Sequence, residues 1–140
     1  MTLTLTVYRA TPSLNAFVNL RRSDYRYAQL RRTWHEAIGR AILEARAGQR
    51  HPLAWPRPPR ERVLVCVTRY APAHHWLDPD NLHGGFKFLL DALKAYELIM
   101  DDKPGAIDLV ANQAISETNL ARWTAIRLTL DPPDVREIHA

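Results

Sequence analysis

A chain of 140 residues is one domain by length, with room for a single sizeable core. Its hydrophobic fraction of 46% argues against disorder. No apolar run approaches the roughly 18 residues of a membrane span, and net charge is a modest +4.

In chain order, Thr2–Tyr8 alternates Thr with Leu and Val, a strand with Leu3, Leu5 and Val7 on one face and not the apolar core of a signal peptide. Thr11–Asn15 reads as a turn, and the polar, basic Asn19–Asp24, with Arg21 and Arg22, reads as loop. From Tyr25 to Ala47 the set Tyr27, Leu30, Trp34, Ile38, Ala41, Ile42 and Ala45 follows helical spacing, and Gly48 supplies the stop. The exposed faces of that helix carry Arg26, Arg31, Arg32, Arg40 and Arg46. Alone, such a stripe is a solvated basic face. Opposite an acidic site it becomes a DNA-contacting face, with Arg21 and Arg22 beside it.

His51–Arg60 holds four prolines and is a stiff linker within the domain. Arg62–Tyr70 is β-forming and apolar enough to suggest a strand covered on both faces. Cys66 lies inside it, read as core packing. A single cysteine makes no internal disulfide, which fits a reducing cytoplasm. Ile107–Ser116 and Arg122–Leu130 are further strands separated by a short turn. The second, Trp123–Leu130, has apolar residues on both faces and is expected last in the sheet, offering an edge or face to a second subunit. Beyond Asp131-Pro132-Pro133, residues 131–140 form a loosely held tail. The order β-α-β-α-β-β predicts an α/β (α+β) class: one compact two-layer domain over 1–140, two helices packed on one mixed sheet.

Between the third and fourth of those segments lies the chemistry. Asp78-Pro79-Asp80-Asn81 precedes an apolar-periodic run, and Pro79 pushes Asp78 into extended backbone. Side chains two apart in an extended segment point the same way, so Asp78 and Asp80 are expected to converge. Asn81 or Asp80 is a natural N-cap for the helix that follows. Leu82, Phe86, Leu89, Leu90 and Leu93 then fall in one arc of roughly 100°. Lys87, Asp91 and Lys94 lie opposite, above Asp80. A helix that begins only after Gly84-Gly85 is the competing account, and it separates Asp80 from Lys87. Asp101-Asp102 closes the stretch with a second acidic pair.

Charge distribution points the same way. Residues 1–62 hold 12 Arg and no Lys against 4 acids, and residues 63–140 hold 7 basic residues against 11 acids. A basic first half and an acidic second half suit a polyanion bound over a metal.

Asp78-x-Asp80-Asn81-Leu82, Lys87-x-x-x-Asp91-Ala92-Leu93 and Asp101-Asp102 together resemble the signature of RusA-type Holliday junction resolvases, small dimeric Mg²⁺-dependent endonucleases of phages, prophages and bacteria. Pro12-Ser13-Leu14-Asn15 ahead of an Arg-rich helix is similar to the family's opening. His83-Gly84-Gly85 makes the segment three residues longer than in the best-known form. The resemblance implies Asp78, Asp80 and Asp102 as catalytic acids and metal ligands and Lys87 as the catalytic lysine. It implies Mg²⁺ as cofactor with Mn²⁺ as substitute, branched DNA as substrate, and a homodimer. Asp101, Asp91 and Asn81 take supporting roles, and whether Asp101 or Asp102 is the third ligand stays open. A non-cleaving junction-binding protein of the same fold and a nuclease of forks or flaps are the rivals.

Other sites fail on residue type. A calcium loop starting at Asp78 would need Gly where His83 stands and Glu where Leu89 stands. Of six histidines only His74 and His75 are close, which is weak for zinc, and no phosphate-cradling glycine loop or Ser/His/Asp arrangement occurs.

Overall fold

The Thr/Leu alternation of the first residues becomes strand β1 (Thr2–Val7), with Leu3, Leu5 and Val7 buried. In the computed structural model, which describes residues 1–20, 24–48, 55–116 and 121–130, helices α1 (Leu14–Leu20) and α2 (Asp24–Ala47) follow, then β2 (Val63–Ala71). A 3₁₀ turn at Ala73–His75, two short helices α3 (Pro79–Gly84) and α4 (Lys87–Ala95), and strands β3 (Ile107–Ile115) and β4 (Trp123–Leu130) complete the chain. Arg21, Arg22, the first part of the proline linker, most of the turn between β3 and β4 and the tail 131–140 lie outside the described residues.

The sheet order is β1-β4-β2-β3. β4 pairs antiparallel with both β1 and β2, and β2 pairs parallel with β3. Parallel neighbours need a crossover, and the 3₁₀ turn with α3 and α4 supplies it. Register sets apolar residues in rows across the strands. Leu5 faces Ile126, which faces Val67, and Leu3 faces Leu128, which faces Val65. Against this face pack Trp34, Ile38, Ala41 and Ile42 of α2 and Phe88, Leu89, Ala92 and Leu93 of α4. The α+β class with helices on one mixed sheet is what periodicity predicted. No helix among the described residues is long and apolar enough to cross a membrane.

Four details differ from expectation. α1 forms where Thr11–Asp24 suggested only turn and loop. β4 is not last in the sheet but interior, between β1 and β2, so the sheet's edges are β1 and β3. β2 is not covered on both faces: burial alternates strictly, and Cys66 is half-buried on the second face with Leu64, Thr68 and Tyr70. The single helix expected after Asp80 is two, broken at Gly85-Phe86.

The glycines at the break have a steric reason. A Cβ on Gly85 would lie 1.7 Å from the Pro12 carbonyl oxygen, and one on Gly84 would lie 2.6 Å from Leu14 Cβ. The glycines are therefore where the crossover meets the lead-in to α1. Because the obstacle at residue 85 is backbone, Gly85→Ala must displace residues 12–14. We expect a loss of about 2 kcal/mol or more, in the range of core overpacking, read from denaturant midpoints. An unchanged midpoint would rule out the tight contact.

Candidate functional site: the acidic loop at the carboxyl ends of the parallel strands

The loop that carries Asp78 is fastened to β2 and β3 from below. Arg69 of β2 is 7% exposed on the helix-covered face. Its Nε donates to the Thr11 carbonyl at 2.8 Å and its Nη1 to the His75 carbonyl at 3.0 Å. Gln113, the register partner of Arg69 on β3, accepts from the Leu77 N–H at 3.1 Å and donates its amide to the Leu77 carbonyl. Leu77 is thus held as an added strand residue would be, and Asp78 projects immediately beyond it.

Pro79 leaves Asp78 extended (φ −67°, ψ 163°), and Pro79 opens α3 at the first helical position, where its missing N–H is no loss. The N-cap is therefore Asp78, and neither Asn81 nor Asp80 takes that place. Asp78 Oδ1 accepts from the Asn81 N–H at 3.0 Å and Oδ2 from the Asn81 side-chain amide at 2.8 Å. Asn81 Oδ1 in turn accepts from the Asn15 N–H at 3.2 Å, tying the acids to the start of α1. Asp80 sits in the first turn of α3, not in extended backbone, so alternation does not make its side chain parallel to that of Asp78. Asp80 is exposed, and its side chain makes no hydrogen bond or ion pair among the described residues.

Lys87 opens α4, exposed, with Nζ 5.7 Å from the centre of the Tyr27 ring of α2. It pairs with no carboxylate among the described residues, and Asp91, half-buried one turn on, makes no bond to it. The helix break removes the two-turn alignment of Asp80 with Lys87. Instead Lys94 reaches Asp101, Nζ to Oδ1 at 3.4 Å, and the Asp102 N–H donates to that same oxygen at 2.8 Å. Asp101 is thereby engaged in holding the turn, while Asp102 is exposed.

Among the described residues no three His, Cys, Asp or Glu side chains stand close enough together to hold a metal ion. By chemistry the donor set of Asp78, Asp80 and Asp102 consists of hard carboxylate oxygens only, the type that Mg²⁺ takes. Arg26, Arg31, Arg32 and Arg40 are exposed along α2, and Arg31 and Arg32 line a shallow surface depression with Tyr27 and His35. Sequence reasoning passed over Arg69, Gln113 and Arg122, and weighed His75 only as a zinc ligand. Arg122 Nη2 lies 2.7 Å from His75 Nε2. One signal for Arg69 was available: a charged residue at the carboxyl end of an apolar strand, where parallel sheets place ligands. No family model matches the chain, and neither does any curated protein.

The cap has a pH signature. Hydrogen bonds from the Asn81 backbone and side chain hold the Asp78 carboxyl below the usual carboxylate range. The unfolded chain thus binds the proton more readily, so stability rises with pH across this window. The contribution is complete above the ordinary carboxylate pKa and is lost as pH falls through the depressed folded value. Asp78→Ala should melt below wild type at neutral pH, and the gap should close in acid. Asp78→Asn should keep much of the cap with little of the pH dependence. A gap between wild type and Asp78→Ala that persists unchanged through acid would refute the capping role.

Proposed function

We propose that the chain is a Mg²⁺-dependent endodeoxyribonuclease that cuts branched DNA, four-way junctions in particular, as a cytoplasmic homodimer. The observation that carries it is an exposed carboxylate at Asp80 and an exposed lysine at residue 87, neither with a charged partner among the described residues. A phosphodiester needs both, an anion site for the metal and a cation for the phosphate. The motif resemblance gives the same residues the same roles.

Asp78, Asp80 and Asp102 would hold the metal, with Asp101 positioning its neighbour through Lys94. Bound Mg²⁺ neutralises phosphate charge and lowers the pKa of a coordinated water. Lys87 holds a phosphate oxygen as a point charge, and the arginines of α2 follow the DNA backbone. Asn81 keeps Asp78 in register with α1. A junction offers two strands for symmetric cutting, and a two-fold pair of subunits presents two such sites. A second reading is a junction-binding protein that does not cut. What favours it is Asp78 turning both carboxylate oxygens to Asn81, as a purely structural cap does.

Incubating a labelled four-way junction and a linear duplex with and without Mg²⁺ separates the two. Cleavage of the junction with Mg²⁺ supports the nuclease. Binding without cleavage in either condition supports the second reading. Asp80→Asn and Asp102→Asn should abolish cutting while junction binding survives, since each removes negative charge facing phosphate. If Asp101→Asn alone is inactive, the third ligand is Asp101.

DNA binding by α2 is tested by salt. The log of the binding constant should fall steeply with log salt. Replacing any one of Arg26, Arg31, Arg32 and Arg40 by Ala should reduce the slope by roughly 0.9 wherever that arginine touches a phosphate. A quadruple Ala variant with the wild-type slope would exclude α2 as the DNA face. Light scattering should give a mass near twice 16.1 kDa, and a monomer with and without DNA would overturn the dimer.

A further inference from the structure

We propose that Arg122, positioned by His75 and backed by the buried Arg69, forms a phosphate subsite that takes a backbone phosphate of the strand bound at the acidic loop. The proposal rests on the nucleic-acid reading for the owner of that phosphate, but the site itself stands on its own geometry.

Two arginines and two histidines gather here, and no carboxylate pairs with the arginines among the described residues. Arg69 is buried, and its acceptors are the neutral carbonyls of Thr11 and His75. Arg122 donates to His75 Nε2 at 2.7 Å, which requires that nitrogen to be unprotonated and to act as acceptor. The His74 ring centre lies 4.2 Å from that of His75. The acid next along the loop, Asp78, turns both oxygens to Asn81. Burial, then Arg122, His74 and Arg69, hold the His75 pKa below its ordinary value, and burial with Arg122 does the same for Arg69. Like charges gathered in this way repel, and an anion placed among them relieves the repulsion.

A second observation sits at the same place. Thr11, 1% exposed, has a side-chain hydroxyl with no hydrogen-bond partner among the described residues, and its carbonyl is the one that Arg69 holds. Burying a hydroxyl without a partner is costly.

Chemistry narrows the ligand to a phosphate. The guanidinium fork matches two oxygens of a tetrahedral phosphate and remains charged at any working pH. His75 consumes one of Arg122's donors and fixes the plane of the rest. Two residues, Trp76 and Leu77, lie between His75 and Asp78, so the two are at most about 11 Å apart along extended chain. A strand laid on Asp78 and Asp80 therefore brings a neighbouring phosphate to Arg122. The subsite sets where along the strand the acids act.

The test uses the full chain, a fluorescent oligonucleotide duplex and EDTA, so that cleavage plays no part. Arg122→Gln should weaken binding about five- to tenfold and reduce the salt slope by about 0.9. Arg127→Gln removes the same charge from the exposed opposite face of β4 and should leave affinity within about twofold. His75→Phe deprives Arg122 of its acceptor but keeps the charge, so affinity should drop while the slope stays, as expected of a positioning residue. If thermal melts show that Arg122→Gln does not fold, Arg122→Lys should lose affinity with the slope intact. Equal affinity and slope for Arg122→Gln and Arg127→Gln would overturn the subsite. Should wild type bind no DNA, the His75 ring resonances are followed by NMR against inorganic phosphate. Shifts that vanish in Arg122→Gln keep the anion site and reject the DNA reading, and no shift in wild type rejects the site.

Discussion

A single guanidinium joins the two halves of this site. Arg69 occupies a position in β2 where Val63, Val65 and Val67 precede it on the covered face, so an apolar stripe ends in a cation. A buried charge is tolerated only with hydrogen bonds around it. Arg69 obtains them from two carbonyls far apart in sequence, Thr11 before α1 and His75 before α3. Those two loops are thereby fixed to one point at the carboxyl end of the strand. Asn81 repeats the link one layer out by accepting from Asn15, and Gly85 repeats it again by lying against Pro12. The acid-bearing crossover and the lead-in to α1 consequently form one structural unit.

Local periodicity was legible because burial selects residue types directly. Leu3, Leu5 and Val7 of β1, and Trp34, Ile38, Ala41 and Ile42 of α2, are buried as their spacing predicts. What was not legible depends on contacts between distant residues. α1 has only seven residues, too few for a helical period to stand out. The place of β4 inside the sheet is a pairing with β1 and β2 that no local pattern encodes, and apolar residues on both of its faces were compatible with an interior strand as well as an edge. The need for glycine at residue 85 follows from Pro12, some seventy residues earlier. The cap was misplaced at Asn81 or Asp80 although Pro79 carried the signal: proline at the first helical position makes the preceding Asp78 the N-cap.

At the site, residue types were legible and their connections were not. Asp78, Asp80, Lys87 and the Asp101-Asp102 pair stand out as charges flanking apolar runs. Their partners do not, because Lys94 pairs with Asp101 across the end of α4 and not with a carboxylate one helical turn away. The cluster of Arg69, Arg122, His74 and His75 was invisible because its members come from a strand, the residue before another strand and a turn, segments far apart in sequence.

Capping and metal binding at Asp78 are not alternatives. An ionised carboxylate offers about four lone-pair sites, and the two hydrogen bonds from Asn81 occupy two of them. Those bonds hold its pKa below the usual carboxylate range and set its plane. A carboxylate already held in this way gives up less conformational freedom on binding a cation than a free one does. Asp101, held by Lys94 and the Asp102 N–H, steadies the turn on which Asp102 stands. Asp80 has no such bond among the described residues. On the reading proposed above, one carboxylate held by hydrogen bonds, one carried on a steadied turn and one uncommitted would form the donor set. Mg²⁺ completes its shell with water, so on that reading it would ask only a few carboxylates of the protein.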